Sequence, residues 1–136
     1  MKWNNSEMSL TLREDNIVYL RVNEEVKTLT VEAAEECIVK LQEAMEHNGT
    51  PKVLLFLVPK IYIPKSVMRC YTDIESIEIA TALICESLTA WLMGNIALTI
   101  GQRFMALNPE TAAPIKAFKK EAVAIKWSLE RLKEVS

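Results

Sequence analysis

Apolar and polar positions alternate twice near the start of the chain. Ser9 to Arg13 (SLTLR) and Ile17 to Val22 (IVYLRV) both repeat with a period of two, the period of a half-buried strand. Glu14-Asp15-Asn16 between them is turn chemistry, because Asp and Asn bond their own backbone. The two runs therefore predict a β-hairpin. Asn23-Glu24-Glu25 makes a second turn, and Val26 to Leu29 leads away from it. From Val31 the period changes. Ala34, Ile38, Leu41 and Met45 recur every three or four residues, opposite Glu32, Glu35, Glu36, Lys40 and Glu43. This predicts a helix over Val31 to Glu46, with Thr30 as its cap and Glu32 placed against the macrodipole. His47-Asn48-Gly49 closes it, glycine being the usual residue past a helix end.

Lys52 to Val58 (KVLLFLV) is continuously apolar, as expected of a strand covered on both faces. Pro59 and Pro64 bracket a loop, KIYI. A short helix then runs from Ser66 to about Thr72, with Ser66 as its cap. Ile79 to Ile100 is the longest apolar stretch, and it has two readings. One is a single membrane span. The other splits it at Glu86-Ser87 into a buried strand, Glu78 to Cys85, and a helix from about Leu88 to Arg103. A carboxylate inside hydrocarbon costs several kcal/mol, and Ser87 is a helix cap. The split is preferred, and no stable membrane insertion is expected. On that helix Leu88, Trp91, Leu92, Ile96 and Ile100 form a stripe that Met93 and Ala97 widen. Phe104 to Ala113 is a loop containing Pro109, and Ile115 to Phe118 is a short strand. Lys119 to Glu134 is a final helix with Val123, Trp127 and Leu132 facing inward. The order is β-β-α-β-α-β-α-β-α. Strands separated by helices imply parallel crossovers, hence an α/β fold with helices packed on a mixed sheet.

The 136 residues suit one domain spanning 1–136. Half the residues are apolar and a quarter charged, which places the chain among globular proteins. Charge is unevenly spread. Residues 1–50 hold five Lys/Arg and ten Asp/Glu, a balance of −5; residues 51–136 hold eleven and eight, a balance of +3. The basic half is too diluted by Glu to read as a nucleic-acid footprint. Cys37, Cys70 and Cys85 are odd in number and widely spaced, so reduced, mostly buried thiols are expected rather than a disulfide framework or zinc site. The N-terminus, MKWNNSEMSLTL, is too polar for a signal peptide. Both points predict a cytoplasmic protein.

The opening hairpin, KVLLFLV with its loop and short helix, the unit ALICESLTAWLMGNIALTIG and the closing IKAFKKEAVAIKWSLERL resemble the SpoIIAA-like branch of the STAS superfamily. A SEC14-like lipid-binding fold is a distant relative in shape. The resemblance spans about residues 8–134. It implies a regulatory, protein-binding domain without enzymatic activity. In regulatory STAS domains a phosphorylatable serine heads the helix after the third strand. Ser66, in IYIPKSVMR, matches that place by order, although the Asp and Gly that usually precede it are replaced by LVPK. A phosphate there would meet a helix N-terminus, with Lys65 and Arg69 at hand.

The chain carries little of the chemistry that enzymes use. His47 is the sole histidine, so a His-based metal site or triad lacks its parts. No GxGxxG, GxxxxGK[ST] or GxSxG motif occurs. No metal or cofactor is expected. Cys70 and Cys85 read as packing residues, and Asp73, Glu75, Glu78 and Glu86 as a solvated acidic edge. What stands out is the helix from Leu88. Trp91, Leu92, Met93 and Ile96 give it more apolar surface than one core face uses. Such a surplus suits a homodimer interface or a protein partner. The alternative is a lipid-like ligand held against the same helix, with Arg103, Lys119 or Lys120 near its head group.

Overall fold

A computed structural model describes residues 1–72, 78–107 and 114–135, with 72, 97 and 100–107 as backbone alone. Six strands and four helices follow one another: β1 (Lys2–Asn4), β2 (Met8–Leu12), β3 (Ile17–Val22), α1 (Val31–Glu46), β4 (Val53–Leu57), α2 (Lys65–Thr72), β5 (Ala80–Ile84), α3 (Leu88–Leu107), β6 (Ile115–Phe118) and α4 (Glu121–Glu134). The strands form one mixed sheet in the order β1-β2-β3-β4-β5-β6. The first three are antiparallel to one another, and β3 to β6 are parallel.

Sequential order dictates how the helices are layered. Each parallel crossover steps the same way across the sheet. With right-handed connections the crossover helices then stack on a single face. Strand register confirms this. Val18, Leu54, Thr81 and Ile115 sit side by side, as do Leu20, Phe56, Leu83 and Ala117. This face packs against α1, α2 and α3. The alternate rows, Tyr19-Leu55-Ala82-Lys116 and Arg21-Leu57-Ile84-Phe118, point the other way. Only α4 covers them, lying over β4 to β6. The β1–β3 half of that face carries Lys2, Asn4, Ser9, Thr11 and Arg21, polar groups that need no cover.

Most expected elements are present, with five corrections. A strand precedes the hairpin, so the order gains a third β at its start. Residues 2–4 are too few and too polar for a periodic signal. Trp3 makes the strand by pairing with Leu10 and packing into the α1 core. Second, α2 begins at Lys65, which puts Ser66 inside the first turn rather than at the cap. The Met68 N–H already donates to the Pro64 carbonyl at 3.0 Å. Third, α3 continues through position 107, into what reads as a loop; Pro109 stops a helix only near its own position. Fourth, α4 begins at Glu121, with Lys120 as its N-cap and Lys119 outside it. Fifth, Val123 is exposed. The inward positions of α4 are Ala124 and Ser128, with Trp127 and Leu132 partly buried. The Ser128 hydroxyl donates to the Ala124 carbonyl at 2.7 Å, so its burial leaves nothing unpaired.

Two local networks hold α1 in place. At its start the Thr30 N–H and hydroxyl donate to the Glu7 carboxylate at 2.8 and 2.7 Å, while the Thr30 oxygen accepts from the Ala33 N–H at 3.4 Å. Glu7 thus does from the β1–β2 turn what the third residue of a capping box does locally. At the other end Asn48 and Gly49 both adopt left-handed backbone. The ammonium of Lys52, 1% exposed, donates to the carbonyls of His47 and Thr50 at 2.6 and 2.8 Å and to the Thr50 hydroxyl at 2.7 Å. Burial lowers the Lys52 pKa from the ordinary lysine value. Three acceptors and the carbonyl end of α1 act against that shift by favouring the ammonium form. Lys52→Met removes all three hydrogen bonds and leaves the His47 and Thr50 carbonyls without this partner. It should cost about 2 kcal/mol in urea unfolding. A loss below a few tenths would mean that water replaces the ammonium.

Helix α3 comes close to the end of β5 at Gly94. A Cβ there would sit well inside contact distance of the Cys85 Sγ, with Val58 Cγ2 next at 3.8 Å. Gly94→Ala should therefore destabilise the wild type by about 1–3 kcal/mol through overpacking. In a Cys85→Ala background the obstructing sulfur is gone. The same change should then stabilise by up to about 1 kcal/mol, the ordinary helical preference for alanine over glycine. A double-mutant cycle in urea reads that reversal of sign.

Candidate functional site

The surface singled out by sequence is the outer side of α3. Ser87 starts the helix, its Oγ accepting from the Ala90 N–H at 3.0 Å and its carbonyl from the Trp91 N–H at 2.8 Å. The helix rests on the sheet through Ala90 and Gly94. Met93 and Leu98 flank them against Val58, Leu83, Cys85, Ile115 and Ala117. With small residues inward, the large ones of the opposite side face water. Leu88 is 76% exposed, Leu92 54% and Ile96 43%. Spacings of four put the three in one ridge, a turn apart.

The four expected contact residues therefore divide. Leu92 and Ile96 lie on the outer ridge. Trp91 and Met93 are half-buried and belong to the packing under the helix, Met93 touching two core clusters. Trp91 also meets Lys119, whose Nζ lies 5.4 Å from the ring centroid. This explains why a lysine is tolerated just before α4. It turns away from the helix end and onto an aromatic face.

The expected cations fall into two groups, one on each side of the ridge. Lys65 and Arg69 are exposed on α2, the neighbouring helix of the same layer, with Lys60 in the loop before it. Ser66 is exposed between them. Lys119 and Lys120 are exposed on the β6–α4 turn, with Lys116 beside Phe118 on β6. Position 103 lies within α3, and the Arg103 side chain is outside the described residues. Asp73 and Glu75 are outside them as well. Along α3 itself the chain has no charge from Leu88 to Gln102. Tyr62, which sequence reasoning passed over, is 65% exposed in the loop that leads to α2. Its signal was a local alternation: Ile61 and Ile63 pack inward, which turns Tyr62 out.

Other chemistry-bearing groups are committed to structure. Burial holds the Tyr19 hydroxyl protonated well above its ordinary range, and the carboxylates of Glu121 and Glu86 add to the effect. Glu78 is raised from the usual carboxylate range by burial, against the Thr81 hydroxyl that donates to it at 3.3 Å. An open concavity of about 690 Å³ lies beside the β3–α1 connection, between Glu7, Arg21, Asn23 and Lys27. Glu7 caps α1 there, and Asn23 braces the hairpin by donating to the Asn5 carbonyl at 3.0 Å. His47 is exposed in the turn after α1. Among the described residues no three His, Cys, Asp or Glu side chains are grouped to hold a metal, and no helix is long and apolar enough to cross a membrane.

Cys37 and Cys85 are buried thiols. Burial pushes the Cys37 thiol up to about 11 and raises Cys85 as well. The buried Tyr71 hydroxyl faces Cys37 and has no hydrogen-bond partner within normal reach among the described residues. A thiol at about 11 is ionised to about one part in a thousand at pH 8. Cys70 is half-exposed, its thiol donating to the Ser66 carbonyl at 3.3 Å. Native protein treated with iodoacetamide at pH 8 should therefore take up one label, at Cys70, before either other cysteine reacts. Intact-mass measurement over time checks the count, and fast labelling of all three would contradict the packing described.

Set against known proteins, the chain matches no family model, no curated sequence and no solved structure.

Proposed function

We propose that this chain is a non-enzymatic interaction module of the SpoIIAA-like or STAS type, working through the outer ridge of α3. The observation that carries this reading is the exposure of Leu88, Leu92 and Ile96 as one stripe on a helix without charges from Leu88 to Gln102. Single exposed leucines are ordinary, but an aligned row on an uncharged helix is the kind of surface that a partner covers. A second copy of the chain or another protein supplies that cover. Reduced thiols fit a cytoplasmic setting. Ser66 offers a place for control. A phosphate there would sit between Lys65 and Arg69 at the head of α2, next to α3, and alter the charge beside the ridge.

Self-association through this ridge brings like-charged flanks together, so the dimer should be weak and should strengthen with salt. Light scattering at 50 and 500 mM NaCl is expected to give a larger dimer fraction at the higher salt. Leu92→Glu with Ile96→Glu should leave only monomer while the circular dichroism spectrum stays unchanged, because both positions face solvent. A wild type that is monomeric at both salt concentrations, or a dimer indifferent to the double substitution, removes the dimer reading.

A further inference from the structure

The helix layer changes character across its width. The outer side of α1 is acidic, with Glu32, Glu35, Glu36, Glu43 and Glu46 all exposed. The outer side of α2 is basic: Lys65 and Arg69 are exposed, and no acid occurs from Pro51 to Thr72. The outer side of α3 is apolar. Past α3 the surface is basic again at Lys119 and Lys120, whereas Lys116 points to the face covered by α4. Glu86, at the head of α3, lies close enough to Tyr19 to raise its pKa, and Tyr19 is on the face covered by α4. Glu78 is at the opposite, N-terminal end of β5. The ridge is therefore an uncharged strip with exposed cations on both flanks, and with exposed Glu86 just before its head and exposed Glu121 after Lys120.

From this arrangement we infer that the α3 ridge docks onto an anionic lipid bilayer, with Leu88, Leu92 and Ile96 entering the interface and the flanking lysines and Arg69 meeting head groups. The inference rests on the reading that this ridge is the working surface. It goes further by giving the ridge a bilayer as an occupant that competes with the protein partner proposed above. Charge complementarity favours an anionic surface. The form of the charge favours a bilayer over an acidic protein. The cations are long, exposed side chains spread on both sides of the ridge, none of them in an ion pair with a described residue. A fixed set of carboxylates would need to match their positions, whereas laterally mobile lipid head groups adjust to them. The ridge also projects outward. A helix lying in the membrane interface buries its apolar stripe to about 5–10 Å and keeps its cations at head-group level. Tyr62, exposed in the loop before α2, adds an aromatic group of the kind that favours this boundary.

The test is sedimentation of the full chain with sucrose-loaded vesicles of phosphatidylcholine, with and without 30% phosphatidylserine (a composition on the order of that of a strongly anionic leaflet). Wild type should pellet with the serine-containing vesicles and not with pure phosphatidylcholine. Binding should fall as salt rises, the opposite of the dimer's response. Leu88→Ser with Leu92→Ser and Ile96→Ser should lower partitioning at least about ten-fold by removing the inserted groups. Lys65→Glu with Lys120→Glu, one change on each flank, should lower it on the order of 25-fold, from roughly five-fold per lost cation. All substituted positions are exposed, so circular dichroism should be unchanged. Wild type left in the supernatant with both vesicle types overturns the inference. So does equal binding to both types, or full binding by the triple serine variant, which would be plain charge adsorption. If vesicle binding fails while Leu92→Glu with Ile96→Glu still abolishes a dimer, the ridge remains the working surface and its occupant is protein.

Discussion

The thiol of Cys85 lies against the backbone of α3 at Gly94, and that contact decides which way the helix faces. A helix approaches a sheet closely only where its side chains are small. In α3 the small pair is Ala90 and Gly94, and once these turn inward the rotation of the helix is set. Leu88, Leu92 and Ile96 then lie on the far side, whatever their individual preference. Full burial of such a side chain is worth roughly 1.5–3 kcal/mol, so this rotation forgoes appreciable stabilisation. The same logic acts in α4. Ala124 and Ser128 sit over Ala82, all fully buried or nearly so, and Val123 is turned out as a result.

That mechanism also explains which parts of the fold were legible beforehand. Periodicity located β2, β3, α1, α3 and α4 because each has enough residues to establish a period, while continuous apolar runs marked β4 and β5. In α1 it also identified the buried face, since Ala34, Ile38, Leu41 and Met45 are all inside. Hydrophobic periodicity failed where it ranks residues by size. In α3 and α4 the largest apolar residues drew attention while the smallest ones made the contact. The ridge was thus noticed, but Trp91 and Met93 were grouped with Leu92 and Ile96 although they pack underneath. Strand β1 was illegible for another reason: a three-residue edge strand is made by its partner and by one anchoring side chain, Trp3, which leaves no local pattern.

The second determinant is the direction of winding. Strands laid down in sequence put α1, α2 and α3 on one face and leave α4 alone on the other. An alternating order would have placed α3 and its neighbours on opposite faces. Sequential winding instead sets three outer helix surfaces side by side, acidic, basic and apolar in turn. The uneven charge between the two halves of the chain thereby becomes a spatial gradient, because position along the sequence maps directly onto position across the sheet.

Around the ridge, polarity without charge has its own physical meaning. Thr89, Asn95 and Thr99 are the polar residues on the described part of α3, and the Thr99 hydroxyl already donates to the Asn95 carbonyl at 2.8 Å. A hydroxyl satisfied by its own helix can be covered at little cost. A charged residue in the same place would have to shed its water, at several kcal/mol, before the ridge could be covered. From Leu88 to Gln102 the helix carries no cation, and the described ones flanking it stand on the neighbouring elements. There they act through space over a Debye length of about 8 Å without having to be desolvated. This separation, an uncharged strip to be buried and a charged border to remain wet, is what distinguishes the outer side of α3 from the equally helical but continuously charged outer side of α1.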